Sequence, residues 1–169
     1  MTAAAAERLS DELRHGTSGD LRRRRGVVGL ALGSAGIMGL ISLYQTGILR
    51  HLPEPRWPGL DADRVNGSAQ AYEILGTPDG LLGLASYATT AALAAAGGAD
   101  RARGRPWLPL AMAGKVAADA ALAAKLTWDQ KAKHHAFCLW CLLSAAMTFG
   151  MVPLVWPEAR RAIRRLFGG

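Results

Sequence analysis

The chain has 169 residues, half of them hydrophobic, and a formal net charge of +7. A nucleic-acid binder of that charge spreads Lys and Arg over one face and interleaves aromatics. Here the basic residues gather in clumps between long uncharged runs, which disfavours nucleic acid and points to a membrane protein with basic flanks.

Residues 1–25 form a basic head. Ser10, Asp11 and Glu12 can cap a short helix there, and the stretch from Gly16 to Gly19 breaks it. Four arginines at 22–25 precede a first apolar span over 26–49, too long for the core of a signal peptide. Gly26, Gly29, Gly33, Gly36 and Gly39 recur along it at three- and four-residue spacing. Either they let a neighbouring helix approach closely, or they fill a tolerant lipid-facing helix.

A loop follows from Arg50 to about Thr77, where Pro53, Pro55 and Pro58 preclude a regular helix. Its length suits a solvated connector or an ordered lid, and 69–75 can form a short helix. Thr77-Pro78-Asp79 reads as a helix start, with Thr as cap, Pro at the first position and an acid in the first turn. Span two covers 80–98, and a turn with Arg101, Arg103 and Arg105 leads to span three over 107–126. Lys115 and Asp119 lie four apart in span three and should face inward. They are either an ion pair that fixes packing or a polar group beside a ligand or proton path. After a link rich in Lys and His, span four covers 136–156, and residues 158–169 form a basic tail with Arg160, Arg161, Arg164 and Arg165. The expected fold is all-α: an integral-membrane four-helix bundle over 26–157, with a long outer loop between helices 1 and 2.

The head carries six Lys and Arg, the second loop three and the tail four, against six on the opposite side. The richer side should be cytoplasmic. The expectation is a multi-pass cell-membrane protein with both termini cytoplasmic and the long loop outside.

That orientation places Cys138-Leu139-Trp140-Cys141, which holds the only two cysteines, on the oxidising side at the mouth of span four. Three residues apart on a helix, the two sulfurs can pair or address one ligand. The helix N-terminus and nearby Lys131, Lys133, His134 and His135 favour a thiolate. Two rival readings stand beside a redox pair: inert buried cysteines, and a zinc site completed by His134 or His135.

The C-x-x-C at the head of the last span resembles the vitamin K epoxide reductase family, quinone-linked thiol oxidoreductases of the membrane. Gly76-Thr77-Pro78-Asp79-Gly80-Leu81-Leu82-Gly83, followed by Tyr87, is similar to that family's entry to helix two. The resemblance covers residues from about 27 to 157. It implies a quinone cofactor of menaquinone or ubiquinone type in a pocket capped by the long loop. Cys141 would face the quinone and Cys138 would exchange with an outer-side thiol donor, either a protein or a small thiol. Asp79 falls at the polar quinone contact of helix two. A second contact, often Tyr, falls at Ala145, so that Trp140 or Tyr87 would have to supply it. Family members usually carry two more cysteines in the loop, and here Asn66 and Ser68 stand roughly where those would be. The implied function is passage of two electrons between a thiol and a quinone. A non-catalytic bundle that binds quinone, lipid or a protein partner is the competing class.

Overall fold

The computed structural model describes residues 2–168, and it is helical throughout, with no strand among the described residues. Helix α1 (Ala3–His15) is capped by Thr2, whose hydroxyl accepts from Ala5 N at 3.3 Å, so the cap lies at the chain start and not at Ser10. Gly16 ends it as the glycine stretch implies. Helix α2 (Gly19–Gln45) begins on the Ser18 cap, with Asp20 in its first turn. Arg22 to Arg25 of the expected head therefore lie inside this helix rather than before it.

Residues 46–78 hold α3 (Ala62–Asn66), capped by the Asp61 carboxylate, and a 3₁₀ turn over Ala69–Tyr72. Helix α4 (Asp79–Ala95) starts one position later than Thr77-Pro78-Asp79 suggests. Pro78 is extended (φ −52°, ψ 127°) and takes the N-cap position, while Thr77 makes no cap bond. After α5 (Arg101–Gly104) come α6 (Trp107–Asp129), a π turn (Gln130–His134) and α7 (Leu139–Phe167). Helix α7 absorbs Pro153 and Pro157 and runs through the expected tail without a break.

Helix α2 packs against α4 and α7, and α6 packs against α7, whereas α4 and α6 meet only sparsely. Val27, Ala31, Tyr87, Met112, Val116 and Met151 form the core between these four helices. Outside it Leu32, Leu84, Leu122, Phe149 and Trp156 are exposed, the pattern of a surface solvated by lipid. Among the described residues three helices are long and apolar enough to cross a membrane: α2, α6 with its π turn, and α7. Helix α4 has 17 residues, the lower end of the length that a span needs.

The glycine series of α2 divides. A Cβ on Gly29 or Gly36 would meet nothing within 4 Å, so those two only fill an open helix face. The closest helix approach comes from α4, where a Cβ on Gly80 would stand 2.8 Å from Ser42 Oγ and Gln45 Oε1, and one on Gly83 2.7 Å from Met38 Sδ. At these two positions glycine lets α2 and α4 touch.

At the end of the bundle near the chain termini, three charged side chains are buried. Arg101 Nε and Nη2 donate to the two Glu158 carboxylate oxygens at 2.8 and 2.9 Å. Arg24 donates to the carbonyls of Ala94, Ala95, Ala96, Gly97 and Gly98 at 2.7–3.2 Å. Its guanidinium thereby closes the C-terminus of α4, whose last carbonyls have no helical partner.

Candidate functional site

The site lies at the opposite end of the bundle, where residues 46–78 fold over the start of α7. Two short strand-like contacts dock them: Phe137 N donates to Gly59 O at 2.8 Å, and Asp61 N to Phe137 O at 2.9 Å. The Glu54 carboxylate accepts from Ala62 N and, at 3.4 Å, from Leu139 N in the first turn of α7. Trp140 Nε1 donates to Pro53 O at 2.8 Å. Further along, Gln70 Nε2 donates to Asp129, which also accepts from Lys125 and Lys133. The Gln70 carbonyl meets His134 Nε2 at 3.2 Å. The segment is thus fastened to α7 and to the end of α6.

Beneath it, Cys138 is the N-cap of α7, and its Sγ accepts from Cys141 N at 3.1 Å. A cysteine three residues before a free N–H fills the place that Ser or Asp usually holds. Asn66 bridges the pair: its Nδ2 donates to Cys138 Sγ at 3.2 Å, and its Oδ1 accepts from Cys141 Sγ at 3.5 Å. Gln130 Oε1 takes Cys138 N at 2.8 Å. Both cysteines are free thiols in this structure.

The expected order of access is reversed. Cys138 has no exposed surface, because Leu52, Ala62 and Asn66 of the overlying segment close on it. Cys141 is half-buried and lines a cavity of ≈ 430 Å³. Along a helix Cys138 does lie nearer the loop, but the loop itself seals it.

The cavity extends between α4, α6 and α7. Asn66, Ser68, Asp79, Tyr87 and Cys141 all line it, so five of the seven residues singled out from the sequence meet around one space. Its walls are otherwise largely apolar, with Met38, Ile41, Leu82, Leu122 and Ala145. It reaches the surface at Ile74 and Leu122, both exposed. Trp140 is not among the lining residues; its indole is turned to Pro53, which removes it as a replacement for a contact at Ala145. Tyr87 remains on the wall, with its hydroxyl 2.7 Å from Thr148 Oγ1 and accepting from Ser144 Oγ at 3.1 Å. Asp79 Oδ1 accepts from Gln45 Nε2 at 2.6 Å, and Gln45 Oε1 accepts from Gly80 N at 3.0 Å.

Several site residues were not singled out from the sequence. Gln45, Glu54, Gln70 and Gln130 are polar residues at element ends with no motif around them. Most of their partners lie far away in the chain: Gln45 meets Asp79 across 34 positions, Gln70 meets Asp129 across 59, and Glu54 meets Leu139 across 85. Lys115 and Asp119 do pair, at 2.6 Å, and Ser86 of α4 joins them at 2.6 Å from Lys115 Nζ. Asp119 and Ser86 also form part of the cavity wall. Among the described residues no three His, Cys, Asp or Glu side chains come together as metal ligands. The zinc alternative therefore lacks its geometry, and His134 is engaged by Gln70.

The sequence model of the Vitamin K epoxide reductase family matches residues 26–156, most of the chain and all of the bundle core. The chain belongs to the vitamin K epoxide reductase family. No curated protein matches it. Membership in that family makes the chain a membrane oxidoreductase, in keeping with its three long apolar helices.

Proposed function

We propose that this member of the family is a thiol–quinone oxidoreductase that passes two electrons between a thiol donor and a bound quinone through Cys138 and Cys141. The observation that carries the reading is Cys141 on the wall of a mostly apolar cavity, with its partner thiol at the adjacent helix cap. The cavity fits the group. Its aliphatic walls suit a menaquinone- or ubiquinone-type ring and tail, and Asn66, Ser68 and Asp79 give it polar groups, with Asn66 Oδ1 3.5 Å from Cys141 Sγ. A quinone supplies a two-electron, two-proton couple that side chains lack. The chain's own part is to hold two sulfurs on one Asn66 carboxamide, to keep the pair dry beneath residues 46–78, and to present only Cys141 to the cavity.

In this reading α4 is the fourth crossing and residues 46–78 form an outer lid. Both chain ends lie in the cytoplasm, as the excess of Lys and Arg at that end favours. Leu75 is 92% exposed on the lid and Phe167 83% exposed at the end of α7. In a Cys138→Ser/Cys141→Ser background, Leu75→Cys should react with a membrane-impermeant maleimide in intact cells. Phe167→Cys should react only after lysis, and the opposite pattern overturns the orientation.

The function is tested by incubating the reduced, purified protein in lipid nanodiscs with or without a menaquinone or ubiquinone analogue, then denaturing it and labelling the remaining thiols with a small maleimide. Quinone should remove label from both cysteines together, with a loss of two mass units per chain. If neither quinone type changes the labelling, the reading fails.

A further inference from the structure

A cycling dithiol must exchange electrons with a second thiol couple, and an attacking thiolate needs access to one of the two sulfurs. Cys138 has none: it is fully enclosed, and Glu54, Trp140 and the Leu60–Phe137 bridge hold its cover in place. The chain has no further cysteine that could relay the exchange from the surface. Cys141 lines the cavity, which at ≈ 430 Å³ admits a small molecule and no protein surface. The cavity is not apolar all the way out. Glu73, Lys125 and Asp129 line it toward the lid, and Glu73 and Lys125 are exposed, which gives it a polar mouth.

We propose that the thiol-side partner is a low-molecular-weight thiol that enters this cavity and exchanges at Cys141, with Cys138 as the enclosed leaving sulfur. The proposal rests on the reading that the pair cycles, and it inverts the roles that helix geometry alone suggests. In the disulfide state, a small thiolate attacks Cys141 Sγ. The bond to Cys138 breaks with its electron pair on Cys138 Sγ, which takes up a proton, and a mixed disulfide forms on Cys141. A second small thiolate then attacks the small-molecule sulfur of that mixed disulfide. The pair leaves on Cys141 Sγ, which is protonated, and a small disulfide departs. Two small thiols are oxidised to one disulfide, and the cysteine pair gains two electrons and two protons. In the reduced pair that results, Asn66 donates to Cys138 Sγ and accepts from Cys141 Sγ.

The test needs no quinone, so its outcome is separable from that of the oxidoreductase reading. Cys138→Ser and Cys141→Ser proteins in nanodiscs are exposed to cystamine, and mixed disulfides are followed by mass spectrometry. Serine at 138 keeps the helix cap. Cys141 in the first variant should react at least about tenfold faster than Cys138 in the second, since access sets the rate of exchange. Denaturing both in detergent should make them equal, and Glu54→Ala, which unfastens the cover, should speed Cys138. In the oxidised wild type, cysteamine should reduce the pair while reduced thioredoxin does so at least about tenfold more slowly. Equal rates at the two cysteines in folded protein, no reaction at Cys141, or reduction by thioredoxin as fast as by cysteamine would each overturn the proposal.

Discussion

Cys138→Ser and Cys141→Ser are each expected to bring thiol-dependent quinone reduction down by about a thousandfold or more, the scale on which losing a nucleophile acts. A serine hydroxyl cannot form the disulfide that stores the two electrons. Because the pair acts as a unit, the double variant should be no worse than either single one. The measurement is quinol formation, followed by ultraviolet absorbance in nanodiscs with a small thiol as donor. Folding should survive. Serine at 138 can still accept the Cys141 N–H, whereas Cys138→Ala leaves that N–H bare and should cost about 1 kcal/mol of stability as well. Activity in either serine variant within tenfold of wild type would show that the two sulfurs do not carry the electrons.

The three long apolar helices and the position of the cysteine pair at a helix start were legible because each rests on local pattern. Uncharged runs, prolines and a C-x-x-C at a helix start are all read within a few residues. Helix ends were less so: α7 continues past Trp156 because nothing in Ala159 to Phe167 opposes a helix and Glu158 is anchored to Arg101. Which sulfur is reachable was not legible at all. It depends on how residues 46–78 dock, through Glu54, Asn66 and Pro53, and those contacts span 72 to 87 positions. The glycines that matter for close approach are likewise set by tertiary packing. Gly29 and Gly36 share the spacing of a packing motif and touch nothing, while Gly80 and Gly83 sit against α2. Charge counting placed Arg24 and Arg101 among the cytoplasmic flanks, since composition cannot tell a buried ion from an exposed one.

That buried cluster yields the largest expected effect on stability. Arg101→Met should destabilise the bundle by about 3–5 kcal/mol, the range for removing one partner of a buried pair. The Arg101 and Glu158 side chains are only 1% and 2% exposed, so the remaining carboxylate would have no water to turn to. The substitution also strips the donors from Leu93 O and Ala96 O, held at 2.6 and 2.7 Å. Arg101→Met with Glu158→Leu should recover most of the loss, because no buried charge is then left unpaired and the new side chains can fill the space. Arg24 would still close the end of α4 in the double variant through its five carbonyls, so the helix terminus would not fray. Denaturant melting of the three proteins in detergent measures this directly. A double variant less stable than Arg101→Met alone would mean that the pair does more than balance charge, with Arg101 needed to tie α4, α5 and α7 together.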